Sequence, residues 1–166
     1  MNIAQWFHDQ LQAGADGFVW GIEQIPSSRQ YVQPPNGLGE WTAERHVFHM
    51  VYYEQMFALP RMLQWLGDIC PVIDGTDENI AWNKNQSNVE SLLANFRKVR
   101  AEQVTLLSKF EDSAWNSVRA TGWGPVSLLW VVSKTYQHTA EHISDIMRIA
   151  LLWDIFATRQ KNKDLG

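Results

Sequence analysis

The chain reads as an all-α protein, a four-helix bundle with long connections. Apolar residues recur at helical spacing in four long stretches, helix-capping or helix-stopping residues bound those stretches, and no stretch shows the alternation of a half-buried strand. With 166 residues, 45% of them hydrophobic, the chain can fill one continuous core and is too short for two. The expected organisation is a single helical domain over residues 1–158 followed by a polar tail, 159–166.

The elements follow in order. Phe7, Leu11, Gly14, Phe18, Ile22 and Ile25 share one face until Pro26 stops the pattern, which predicts a helix over 3–25. The next stretch, "PSSRQYVQPPNGLGE", is a loop long enough to cross the bundle or line a site. Thr42 as N-cap and Glu44 in the first turn open a second helix that ends near Leu66, with a kink expected at Pro60. Ser87 and Glu90 match the S-x-x-E capping box of a third helix. Its stripe runs from Val89 through Leu92, Phe96, Val99 and Leu106 to Phe110, with Gln103 as the polar exception. The fourth helix is expected from about Val126 to about Phe156, before a frayed "TRQKNKDLG".

Composition excludes several classes. The net charge is −4, and the densest basic cluster, Arg97, Lys98 and Arg100, shares its helix with Glu90 and Glu102, so no nucleic-acid-binding face is expected. The N-terminus lacks a basic stretch followed by an apolar one, and no apolar run matches a membrane span; the expectation is a soluble, cytoplasmic protein. Cys70 is the single cysteine, which rules out an intrachain disulfide, a CxxC pair and a thiolate zinc site. It is read as a small loop or core residue, not a nucleophile. Any metal must therefore sit on His and carboxylate.

The stretch "TYQHTAEHISDI" places His138 and His142 four residues apart, so both imidazoles project the same way, about 6 Å apart along the helix. Lys134, Gln137, Glu141, Ser144 and Arg148 define the polar face of that helix, and the two histidines fall on its flank, suited to the wall of a cleft. A zinc-type site needs a third protein ligand. In the second helix Glu44, Glu54, Gln55 and Arg61 mark a polar face that His49 opposes, which turns His49 toward the core; His46 is read as a boundary residue, and His8 lies beside the stripe of the first helix. On the residues alone two readings stay open: a metal site on His49, His138 and His142, or three structural histidines.

The run "PPNGLGEWTAERHVFHMVYYE" resembles the second-helix signature of the DinB-like family: a Pro- and Gly-containing loop, an aromatic W-[ST] helix start and a His eight residues after the Trp, here Trp41 and His49. "HTAEHISDIMR" resembles the family's last-helix H-x-x-x-H, and the intervening lengths agree over nearly the whole chain. The resemblance implies a four-helix bundle with an unusual connection and a divalent metal at one end of a cleft, on the positions occupied by His49, His138 and His142. It also implies a homodimer, small-molecule substrates and no nucleic-acid binding. Family members of known activity are similar to thiol S-transferases and thiol-dependent isomerases that use low-molecular-weight thiols; no specific thiol-binding motif is recognisable here. Zinc or nickel is the expected ion, and iron also suits three imidazoles.

Rival readings use the same residues. "HTAEH" satisfies H-x-x-E-H, the inverted zinc-protease motif, with Glu141 as general base. Against it, such enzymes resemble larger mixed α and β domains, and Glu141 falls on the polar face. A ferritin-like di-iron site needs Glu three residues before His, which none of the five histidines has. A two-His, one-carboxylate iron site would put Asp145 or Glu54 in place of His49. Glu54, Tyr52, Tyr53, Thr135 and Asp145 are candidates to orient the ligand imidazoles. Three functions follow: a metal-held thiol attacking an electrophile, metal-assisted hydrolysis, and a non-catalytic metal- or ligand-binding bundle.

Overall fold

Asn2 caps the first helix, α1 (Ile3–Glu23), its Oδ1 accepting the Ala4 and Gln5 N–H groups at 3.0 and 3.3 Å. This computed structural model describes residues 2–67 and 77–164, so Cys70 lies outside the described residues. Thr42 caps α2 (Ala43–Tyr53) as expected, its Oγ1 accepting from Arg45 N–H at 3.1 Å. The chain then continues through a π-helical turn, Glu54–Ala58, into α3 (Leu59–Leu63) and a short 3₁₀ turn, Gln64–Leu66. Pro60 has no N–H to donate and crowds the preceding turn, and the helix accommodates it by widening there.

A short helix, α4 (Glu78–Asn83), precedes α5 (Val89–Leu107). The cap of α5 is Asn88, whose Oδ1 accepts from Ser91 N–H at 2.9 Å, and not the expected Ser87, whose own N–H donates to Asn85 Oδ1 at 3.1 Å. The expectation of no strands is also corrected. Val118–Thr121 (β1) and Gly124–Ser127 (β2) form a small antiparallel hairpin in which Arg119 faces Val126. Four-residue strands with no buried face carry no alternation to read. The last helix, α6, spans Leu128–Asp164 and does not fray after Phe156.

The four long helices are α1, α2 with its continuation, α5 and α6, and α1 packs on both α5 and α6. Gly14 and Gly21 admit α6 closely: a Cβ on Gly14 would meet Thr139 Cγ2 at 3.2 Å and one on Gly21 would meet Ile146 Cγ2 at 3.0 Å. The core falls into two apolar groups, one around Phe18, Met50, Phe96 and Ile146, the other around Phe7, Leu11, Leu107 and Leu128. Each fully buried side chain of this size contributes about 1.5–3 kcal/mol.

Between these groups along the helices lies a buried polar layer of Glu54, Arg100, Gln103 and Thr139. The Glu54 carboxylate accepts from Nε and Nη2 of Arg100, and the same guanidinium donates to Leu11 O at 3.0 Å and Thr139 Oγ1 at 2.8 Å. This corrects the second-helix wheel: Glu54 and Arg61, two of the residues that marked its polar face, are 0% and 2% exposed. Paired or stacked charges can occupy core positions that a hydrophobicity pattern assigns to solvent.

The loop after α1 crosses the end of α6. Arg29 pairs with Asp154 at 2.7 Å, Arg148 Nη2 donates to Gly37 O at 2.9 Å, and Gly37, at φ +97°, lies so close to Phe156 that a Cβ would stand 2.7 Å from the ring. The loop thereby delivers Trp41 to the start of α2, beside the histidines. Among the described residues, no helix is long and apolar enough to cross a membrane.

Candidate metal centre

α2 and α6 face each other in antiparallel sense and present a ladder of four imidazoles. His49 Nε2 lies 2.9 Å from His138 Nε2, and one turn along, His46 Nδ1 lies 3.0 Å from His142 Nδ1. One nitrogen from each of His49, His138 and His142 falls within 4.8 Å of the other two. The structure thus brings together the three histidines selected in the sequence. Their settings differ from the wheel's: His49 is half-buried, whereas His46, expected at the boundary, and the flank residues His138 and His142 are all buried.

Glu78 on α4 orients the first of these rings. Its Oε2 accepts the His49 Nδ1–H at 2.8 Å while Oε1 pairs with Arg45 at 2.7 Å, so the Nε2 edge of His49 faces His138. Burial raises the Glu78 carboxyl, but the His49 hydrogen bond and Arg45 outweigh it and hold the group below its ordinary value. Arg45 is itself held over the rings of Trp41, Phe48 and Trp82 at 4.9–5.3 Å. Sequence reading missed Glu78. Its only local signal is its place in the first turn of α4, behind Asp77, whose side chain caps that helix.

His46, His138 and His142 are kept neutral. Burial, followed by the neighbouring histidines, lowers His138 to about 2; burial and His49 lower His142 to about 4; and burial, His142, His49 and Arg45 lower His46 to about 3. Neutral imidazole is the form that binds a metal. Two nitrogens bound to one ion at about 2.0–2.1 Å stand roughly 3 Å apart, which is the separation of the His49–His138 pair. His138 and His142 are thus in the form a divalent ion needs, and the three donors lie within 4.8 Å of one another.

The remaining candidates stand apart from this cluster or border it. Glu141 is exposed, and its Oε1 accepts from Gln137 Nε2 at 2.8 Å on the outer face of α6. Glu54 is committed to Arg100, so the expectation that it lies on a solvated face beside the ligands does not hold. Thr135 Oγ1 donates to Val131 O, and His8 is exposed and pairs with Asp9. Tyr53 packs its ring 4.0 Å from that of His138, and burial pushes its phenol up to about 12, so it stays protonated. Asp145 lies with His46 and His142 in a second group of possible ligands within 4.8 Å. Trp41 stacks on His142 at 6.1 Å, and a cavity of about 400 Å³ lined by Trp41, His46, His142, Asp145 and Arg148 reaches the cluster from that side.

The fold has counterparts among known proteins. Residues 10–146 match the DinB superfamily, and the chain belongs to that family. Among solved structures it is similar to YfiT from Bacillus subtilis, described as a probable metal-dependent hydrolase with an unusual four-helix bundle topology. The TM-score is 0.71 at 18% identity, over 89% of this chain and 85% of that one. A comparison with curated proteins finds no match.

Proposed function

We propose that the protein is a metal-dependent enzyme in which His49, His138 and His142 hold one divalent ion that activates a small nucleophile. The observation that carries this reading is the Glu78-oriented His49 Nε2, set 2.9 Å from His138 Nε2 with a nitrogen of the buried His142 within 4.8 Å. Three neutral ligands leave the charge of an ion uncompensated and leave it room for substrate or solvent, the arrangement of catalytic sites. Bound there, the ion supplies a Lewis acid that makes a thiol or a water molecule nucleophilic near neutral pH. Zinc or nickel suits three imidazoles, as does iron.

The chain's own groups do the rest. Glu78 and Arg45 keep His49 in the ligating tautomer, and Trp41 and Tyr53 wall the cluster with aromatic surface. The cavity beside His142 admits a small molecule. Glu141 is turned outward and Glu78 is engaged by two partners, so neither carboxylate is free to act as general base. A nucleophile that needs neither of them suits such a site, and we assign it first to transfer of a low-molecular-weight thiol to an electrophile.

Hydrolysis is the second reading, favoured by the likeness to YfiT. The two separate in one experiment, in which metal-loaded protein is given a chromogenic electrophile with and without a small thiol, and an activated ester. Turnover that needs both thiol and metal and vanishes in His49→Ala supports thiol transfer. Metal-dependent ester cleavage without thiol selects hydrolysis, and turnover indifferent to chelator overturns both.

A further inference from the structure

His46 belongs to the ladder but not to the set of three: the possible ligand group that contains it joins His142 and Asp145, not His49 and His138. It is nonetheless buried, and its Nδ1 lies 3.0 Å from Nδ1 of His142. A buried imidazole costs desolvation that an apolar side chain at the same position would avoid. Two ring nitrogens that close share one proton, and the side that carries it decides what the far edge of each ring can do.

We propose that His46 is a positioning residue whose Nδ1 accepts the Nδ1–H of His142 and holds that ring in the tautomer with a free Nε2. The inference rests on the three-histidine reading above. In the reverse arrangement His46 would donate, the His142 proton would move to Nε2, and that nitrogen would have no lone pair for an ion. Glu78 imposes the same tautomer on His49 by accepting its Nδ1–H at 2.8 Å, so two of the three ligand rings would each have an acceptor on Nδ1. The accepting form of His46 carries its own proton on Nε2, and His46 lines the cavity beside His142, where solvent can take that hydrogen bond.

The test uses the full chain with zinc as probe and two variants. His46→Leu removes the acceptor; His46→Asn restores one, with Oδ1 in place of Nδ1. Zinc affinity is measured by competition with a chromophoric chelator, and the tautomer of His142 by long-range proton–nitrogen spectra of the metal-free protein, its signals assigned by their loss in His142→Gln. The expected results are an Nδ1–H tautomer for His142 in the wild type, affinity about 10–100-fold weaker in His46→Leu, and recovery of most of that loss in His46→Asn. An Nε2–H tautomer in the wild type, unchanged affinity in His46→Leu, or no recovery in His46→Asn would overturn it. So would two zinc ions per chain with the second lost in Asp145→Asn, since His46 would then be a ligand. Should His46→Leu not fold, the wild-type spectrum and His46→Asn still decide. Absence of zinc binding by the wild type would sink the three-histidine reading, while the spectrum would still judge the His46–His142 hydrogen bond.

Discussion

Replacing Arg100 by Met probes the polar layer that divides the core. Arg100 and Glu54 are 1% and 0% exposed, and the guanidinium bonds to the π turn after α2, to α1 through Leu11 O and to α6 through Thr139. Without it the Glu54 carboxylate keeps its burial and loses its cation. Removing one partner of such a pair costs about 3–5 kcal/mol, a large part of the roughly 5–15 kcal/mol that holds a domain folded. At about 2–4 °C per kcal/mol for a chain of this size, Tm should fall by roughly 6–20 °C. The double variant Glu54→Gln/Arg100→Met removes both charges and should be more stable than Arg100→Met alone. Thermal and urea unfolding followed by circular dichroism measure both effects. A loss below about 1 kcal/mol in Arg100→Met, or a double variant as unstable as the summed singles, would show that the buried pair is not coupled in this way.

Two further outcomes follow from the histidine ladder. His46, His138 and His142 are neutral in the fold at pH values where the unfolded chain takes up protons, so their contribution is complete above about pH 6.5 and is lost as pH falls toward their folded values of about 2 to 4. One such group alone removes about 2 kcal/mol by pH 5 (about 1.4 kcal/mol per unit over 1.5 units), and urea midpoints of the metal-free protein at pH 7.5 and 5.0 should differ accordingly; equal midpoints would count against neutral burial. Glu78→Ala frees the His49 ring from its acceptor and should weaken zinc binding about 10–100-fold in a chelator competition, whereas unchanged affinity would remove Glu78 from the site.

Helix periodicity made the bundle legible, because α1, α2, α5 and α6 each bury a stripe that solvent-facing residues flank. Thr42 and Pro26 worked as punctuation for the physical reasons that predict them. The wheel of the second helix reached His49 on a partly mistaken premise, since Glu54 and Arg61 lie in the interior. A charge buried against another charge has the same letter as one in water, and only the long-range partner, here Arg100, distinguishes them. Glu78 was illegible for the same reason: its meeting with His49 spans 29 residues and depends on where α4 docks. His46 read as a boundary residue because its partner, His142, is 96 residues away. Asn88 displaced Ser87 as cap by one residue, a competition between two good capping side chains that local sequence does not decide.

The central claim is that three imidazoles hold one ion. Protein purified without a metal-binding tag and weighed for transition metals by elemental mass spectrometry, beside His49→Ala and His142→Ala, tests it most directly. A three-histidine centre requires close to one metal per chain in the wild type, as isolated or after incubation with micromolar zinc or nickel, and loss of it in both variants. A wild type that takes up none under either condition, or variants that retain it, would exclude such a centre and leave the ladder a structural feature of the fold.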